Sequence, residues 1–412
     1  KIFFVIMNIL YVIGNLNSGG AERQILLNAS ISSKKHNVLI VSIGNENNYV
    51  DFCDKNNLHV ISLKKRKGKI WNLFILLQIY RIIKKNNIKL LHSFLGVPNL
   101  ISYILSFFTK IHLITSWRSD VDLNSELWKR KGSNNKVLKN YNSKDSLLNK
   151  IKYLNKLTFH GKIWLPLERL IIDRSNLVIF NSAMSLSNHQ KLFDLDLSKL
   201  RLVPNIVDTN FFSGVSKENK DKVRKNLKLE KDATVFLCIS RIVPKKNQIF
   251  LVKNFIEFQK KKKNENFQLI ICGQPDFGYK KKLQLAIGNN KKILLIQQTS
   301  EINKLYQASD CFIFPSKWYE ANPNVLLESM STGLYPIVSK TADPLNIIKH
   351  NTNGMIFDAN NGNDLIRCMV KFTNMNRNEL SEVLIKNKRL IKNNFSENSI
   401  KDKLMDVYRE LQ

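Results

Sequence analysis

The sequence predicts an α/β protein of two doubly wound, Rossmann-like domains facing across a cleft, and three observations carry that prediction. Short apolar runs rich in Val, Ile and Phe alternate with longer amphipathic stretches along the whole chain. The runs are continuous rather than alternating in polarity, as strands covered by helices on both faces of a parallel sheet must be. They also fall into two series, separated by a charged stretch over residues 213–231 that contains no strand-like run.

The first series reads NILYVI, VLIVSI, LHVISL, KLLHSFL, HLITS, LVIFNS and LRLVPN; the second reads TVFLCIS, FQLIICG, KILLIQ, CFIFPS, YPIVS and GMIFD. Asn8–Ile13 is the expected first strand, with residues 1–6 as an extension before it. The seam is expected near Phe212, giving a first domain over residues 1–212 and a second over 213–390. Residues 391–412 belong to a final helical stretch with no strand after it, expected to pack back on the first domain. Residues 124–162 are basic and polar with scattered Leu, Tyr and Trp, and longer than an ordinary connection, so they read as a partly helical insertion.

At 412 residues the chain suits two or three domains, and 43% hydrophobic with 24% charged residues excludes a disordered or membrane-embedded chain. The formal charge is +32, but Lys, Asn and Ile are enriched together over every segment, which reads first as a background bias. The remaining reading is attraction to a polyanion, either nucleic acid or an acidic membrane face. A nucleic-acid-binding protein would gather its cations on one face with stacking aromatics between them. Here the lysines are spread and most aromatics sit in strands.

Cys53, Cys238, Cys272, Cys311 and Cys368 are widely spaced and read as reduced residues of a cytosolic protein. With no CxxC pair or His/Cys cluster, a structural zinc site is not expected. The apolar start is about a dozen residues, short of the roughly 20 that span a bilayer, and lacks a secretory-type cleavage site.

Open parallel sheets bind ligands beyond the carboxyl ends of their strands, so the residues just after each apolar run are the candidates for function. In CISRIVPKKNQIF, Arg241 follows a strand and Lys246 stands where a helix begins, a natural pair of cations for a diphosphate; Lys245 could exchange roles with Lys246. In SKWYEANPNVLLESMSTG, Pro323 suits a first helical turn with Asn322 as cap, and the backbone amides of Asn324 and Val325 could hold phosphate oxygens. Glu320 precedes that helix and Glu328 lies inside it. Helical rise puts their carboxylates on the order of 10 Å apart, too far for the pair of about 5 Å that a retaining glycosidase uses. They are therefore expected to hold different parts of one ligand. Gly19 and Gly20 follow the first strand without completing a dinucleotide-binding fingerprint. In LITSWRSD, Arg118 and Asp120 either face the cleft or pair with each other. A phosphate site and a sugar-hydroxyl acceptor together suit a nucleotide-sugar enzyme.

The motifs GGAERQILLNA, NSAMSLS, VPNIVDTNFF, SRIVPKKNQ, ICGQPDFG, LYQASDCFIFPS and YEANPNVLLESMSTGLYPIVS, in this order, resemble the retaining glycosyltransferases of family 4, which have the two-domain GT-B architecture. The resemblance implies transfer of a hexose or N-acetylhexosamine from UDP or another nucleoside diphosphate to a saccharide acceptor. It implies that Glu320 lies near the donor sugar, Glu328 holds the ribose, Arg241 and Lys246 hold the donor diphosphate, and Gly19 and Gly20 lie near the phosphates or acceptor. The sequence departs from the family at three places: Ala321 and Asn322 follow the first glutamate, Trp117 stands where many members have histidine, and Asn346 stands where a glutamate is common.

Glu320, Arg241 and Lys246 are the expected catalytic residues. No metal or other cofactor is expected, because no Asp-x-Asp element stands at a strand end and the two cations could neutralise the leaving diphosphate. Residues 64–85, KKRKGKIWNLFILLQIYRIIKK, have basic ends around an apolar middle. They either lie on the inner face of the plasma membrane, reaching a polyprenyl-diphosphate-linked acceptor, or form a buried helix with solvated flanks. The expected role is in bacterial surface polysaccharide assembly; a nucleotide-sugar epimerase of the same fold is the nearest alternative.

Overall fold

The computed structural model describes residues 5–17, 19–63, 70–118 and 159–412. Asp120, residues 64–69 at the basic start of the 64–85 stretch, and residues 124–158 of the expected insertion lie outside the described residues. The chain forms two compact units, one of Lys1–Asn205 with Ile400–Gln412 and one of Ile206–Ser399.

The first unit holds a seven-stranded sheet built from β1 (Asn8–Ile13), β2 (Asn37–Ser42), β3 (His59–Ser62), β4 (Leu90–Phe94), β5 (His112–Trp117), β6 (Leu177–Phe180) and β7 (Leu200–Leu202). The order is β3-β2-β1-β4-β5-β6-β7 and every pairing is parallel. Because side chains alternate across a strand, Leu10 and Val12 of β1 pack with Ile75, Ile79 and Ile83 of helix Ile70–Lys85. Tyr11, pointing the other way, bonds Ser32 of helix Gly20–Ser33 and Tyr408 of helix Glu397–Arg409.

The second unit holds a six-stranded parallel sheet built from β8 (Thr234–Ile239), β9 (Phe267–Gly273), β10 (Ile293–Gln297), β11 (Cys311–Phe314), β12 (Tyr335–Ser339) and β13 (Met355–Phe357), in the order β10-β9-β8-β11-β12-β13. The same alternation divides its core. Phe236 and Cys238 pack with Phe255, Phe258, Met369 and Phe372, whereas Val235, Leu237 and Ile239 pack with Tyr306, Leu326 and Met330.

The seam between the units falls between Asn205 and Ile206, ahead of the expected Phe212. The reason is packing: Val207 and Phe212 are buried in the second unit's core, Phe212 edge-on to Tyr306 at 5.7 Å. Residues 391–399 also count with the second unit, where Ile391 and Phe395 are buried, and Ile400–Gln412 count with the first.

Candidate functional site

Both sheets reverse their winding once, between β1 and β4 in the first unit and between β8 and β11 in the second. At such a point the flanking connections leave toward opposite faces, and the crevice that opens at the strands' carboxyl ends is where doubly wound sheets take ligands. Arg241 stands just past β8 and Glu320 in the loop past β11, so the second unit's switch point gathers the charged residues singled out from the sequence.

Past β8 the chain turns through a 3-10 turn, Pro244–Lys246, before helix Gln248–Lys261. Gly273 makes room for this: a Cβ there would lie 1.8 Å from the Ser240 carbonyl oxygen, so only glycine lets the end of β9 approach that turn. Lys246 is 9% exposed and its Nζ lies 2.5 Å from Glu320 Oε1 and 4.9 Å from the Phe314 ring centre. Lys245 stands over the Trp318 ring at 5.9 Å. Burial pulls the Lys245 ammonium below its usual range, and the neighbouring charges of Lys246 and Arg241 add to that, opposed by Glu320. Arg241 itself is exposed, and its guanidinium makes no hydrogen bond or ion pair among the described residues. Lys245 thus feels the charges of Lys246, Arg241 and Glu320 together, and of these cations only Lys246 is paired with the carboxylate among the described residues, an excess of positive charge suited to an anionic ligand.

Helix Asn324–Thr332 follows Glu320. Pro323 takes the N-cap position rather than the expected first turn, because its ψ of 104° is extended although its φ of −75° would fit a helix. Asn322 accordingly lies one residue before the cap. Asn324 and Val325 open the helix, where the first backbone amides have no carbonyl within the helix to bond. Glu328, one turn on, is 4% exposed and its Oε2 accepts a 2.9 Å bond from the Tyr306 hydroxyl. At the far end Gly333 adopts φ +98°, the left-handed cap that favours glycine.

In the first unit, Gly19 is the N-cap of helix Gly20–Ser33 with extended backbone, its carbonyl accepting from the Tyr49 hydroxyl at 3.2 Å. Arg118 leaves β5 and lies over the Phe94 ring at 4.9 Å, donating from Nη1 to Asn205 Oδ1 at 2.5 Å. Its Nε and Nη2 are buried without a hydrogen-bond partner among the described residues, and burial pulls the guanidinium down to about 10. Next to it, His92 bonds Tyr408 through Nδ1 and Ser116 through Nε2, each at 2.8 Å. Trp117, in the place where a histidine was considered, is 4% exposed and packs beside His189 at 6.0 Å.

Several partners escaped sequence reasoning. Tyr306, on the helix before β11, and Ser316, Thr341 and Gly273, in or just after apolar runs, lie beside the expected residues, yet each is a common residue for its place, so nothing local marks it. Among the described residues no group of three or more His, Cys, Asp or Glu is placed to hold a metal ion, and no helix is long and apolar enough to cross a membrane.

Comparison with known proteins bears on the whole chain. Residues 18–211 match the family described as Glycosyltransferase Family 4, and residues 219–391 match Glycosyl transferases group 1. The UDP-Gal:alpha-D-GlcNAc-diphosphoundecaprenol alpha-1,3-galactosyltransferase of Escherichia coli is 28% identical over 44% of this chain and 46% of its own, so the match spans about half of that relative. The capsular polysaccharide biosynthesis glycosyltransferase CapH of Staphylococcus aureus is 23% identical over 78% of each chain. Among solved structures, Anabaena Alr3699/HepE in complex with UDP and glucose superimposes with a TM-score of 0.77 at 16% identity, over 98% of this chain and 100% of its own. That likeness speaks for the fold. The chain belongs to the group 1 and family 4 glycosyltransferases and has the GT-B fold.

Proposed function

We propose that the protein transfers a hexose or N-acetylhexosamine, with retention of configuration, from a UDP-sugar to a saccharide acceptor carried on a polyprenyl diphosphate, during assembly of a bacterial surface polysaccharide. The observation that carries this reading is the gathering of Arg241 and Lys246 beside Lys245 at the second unit's switch point, with Lys246 paired to Glu320. Arg241 and Lys246 bind the donor diphosphate and stabilise the charge that develops on it as the glycosidic bond breaks. Glu320 accepts hydrogen bonds from the sugar, Glu328 from the ribose, and the amides of Asn324 and Val325 face phosphate oxygens. No bound metal has a role in this scheme, since the cations perform the neutralisation. The leaving diphosphate departs from the face that the acceptor enters.

The acceptor is assigned to the first unit, with Gly19, Gly20, Arg118 and Asp120 near it. The names of the Escherichia coli and Staphylococcus aureus relatives, one acting on a diphosphoundecaprenol-linked sugar and one in capsule synthesis, support the lipid-linked class. Helix Ile70–Lys85 buries Ile75, Ile79 and Ile83 but leaves Leu73, Phe74 and Leu77 exposed at 60%, 50% and 45%. Together with Lys84 and Lys85, that second apolar face supports peripheral binding to the inner face of the plasma membrane.

A donor screen tests the core of the proposal. Thermal shift with UDP-sugars, and release of UDP on adding acceptor, are expected for one donor class and are expected to be lost in Glu328→Ala. Unchanged behaviour of that variant removes the assignment, and turnover without free UDP replaces transfer by epimerisation. Sedimentation with liposomes that shows no dependence on anionic lipid removes the membrane reading.

A further inference from the structure

We propose that Ser316 is a positioning residue for Glu320, and that with Lys246 it commits one carboxylate oxygen so that the other alone receives a hydroxyl of the transferred sugar. This rests on the donor-site reading above. Ser316 is fully buried directly after Pro315, at the end of β11. Its hydroxyl lies 2.6 Å from Glu320 Oε1, 3.1 Å from the Trp318 carbonyl and 3.4 Å from that of Lys245. A serine has one proton to give, and the charged acceptor at the shortest distance takes it. Lys246 Nζ approaches the same oxygen at 2.5 Å. Oε1 is therefore held by two donors, while Oε2 makes no hydrogen bond among the described residues.

Ser316 is itself fixed from three sides. Its carbonyl accepts from Ser339 Oγ and from Thr341 Oγ1, each at 2.6 Å. The next residue, Lys317, donates its backbone N–H to the Lys245 carbonyl at 2.9 Å, and the Glu320 N–H reaches the Thr341 carbonyl at 3.1 Å. The loops after β11 and β12 and the 3-10 turn that carries Lys246 are thereby joined at one serine. A carboxylate so held presents one lone acceptor in a fixed direction, and loss of the serine hydroxyl frees it to rotate.

The test couples a residue to a substrate atom. Wild type and Ser316→Ala are compared with the UDP-hexose that the wild type turns over fastest, and with each monodeoxy analogue of that sugar. Wild type is expected to discriminate against one analogue by about tenfold or more in kcat/KM, as loss of a hydrogen bond to a charged group implies. In Ser316→Ala that ratio is expected to fall to within about threefold, mostly through kcat, with the Kd of UDP unchanged, because the shortest bond of the Ser316 hydroxyl is to the sugar-facing carboxylate and it bonds no ammonium or guanidinium group among the described residues. An undiminished ratio overturns the proposal. If Ser316→Ala no longer binds UDP, Thr341→Val, which removes one hydroxyl from the Ser316 carbonyl, carries the same comparison, and full discrimination there overturns the proposal equally. Failure of the wild type to bind UDP overturns the donor-site reading instead.

Discussion

Replacing Arg241 with alanine separates binding from folding. The guanidinium is exposed and makes no hydrogen bond or ion pair among the described residues, and the local turn is held by its backbone, whose carbonyl accepts a 2.8 Å bond from Gln248. Its removal is expected to change stability by no more than about 0.5 kcal/mol. A charge-assisted bond to a phosphate oxygen is worth about 1.5–3 kcal/mol, so UDP affinity and turnover are expected to fall about 10- to 150-fold. Lys246→Ala is the contrast. There the side chains of the pair are 11% and 18% exposed, and the change leaves Glu320 with one donor fewer in a partly buried position. Breaking a fully buried pair costs about 3–5 kcal/mol, and the residual exposure reduces that here to about 1–3 kcal/mol. Thermal unfolding of both variants, calorimetric UDP titration and a UDP-release assay measure all of these quantities. Arg241→Ala binding UDP as the wild type does, or losing as much stability as Lys246→Ala, refutes the reasoning.

Tyr306→Phe removes the hydroxyl that bonds Glu328 Oε2 but keeps the ring that packs against Phe212 and Phe312. It is expected to weaken UDP binding about tenfold through a less firmly placed carboxylate, and equal affinities contradict this. Arg118→Met exchanges a half-buried guanidinium that meets no carboxylate among the described residues for an apolar chain, so the unfolding temperature is expected to hold or rise while acceptor-dependent turnover falls; a clear loss of stability, or undiminished turnover, refutes it. Burial raises the Tyr11 phenol from 10.0 to about 12. The fold holds that proton where the unfolded chain releases it, so this contribution is complete below pH 10 and is lost, by about 2–3 kcal/mol, as pH rises toward 12. Urea unfolding at pH 9 and 11 should show a smaller loss in Tyr11→Phe, and identical losses would contradict the assignment.

The amino-acid order by itself determined the two parallel sheets. Runs such as FQLIICG are buried at every position of β9, and only a strand covered on both faces tolerates that. It also placed Arg241, Lys246, Glu320 and Glu328 at the ends of strands or on the helix that follows, because the strand-then-helix rhythm is local. What it could not give is partnership across strands distant in the chain. The Lys246–Glu320 pair joins residues 74 positions apart, and Tyr306 meets Glu328 only because both lie on helices covering the same face of the second sheet. Ser316 looks like any small residue after a strand until β11 and β12 are paired in register, which brings the end of β12 and the loop after it to its carbonyl. Sequence alone leaves Arg118 either facing the cleft or pairing with Asp120; the pairing of β4 with β5 brings it over the Phe94 ring. Sequence fixes periodicity and strand ends through nearest-neighbour chemistry, whereas the charge balance of a site depends on groups that only the tertiary fold brings within hydrogen-bonding distance.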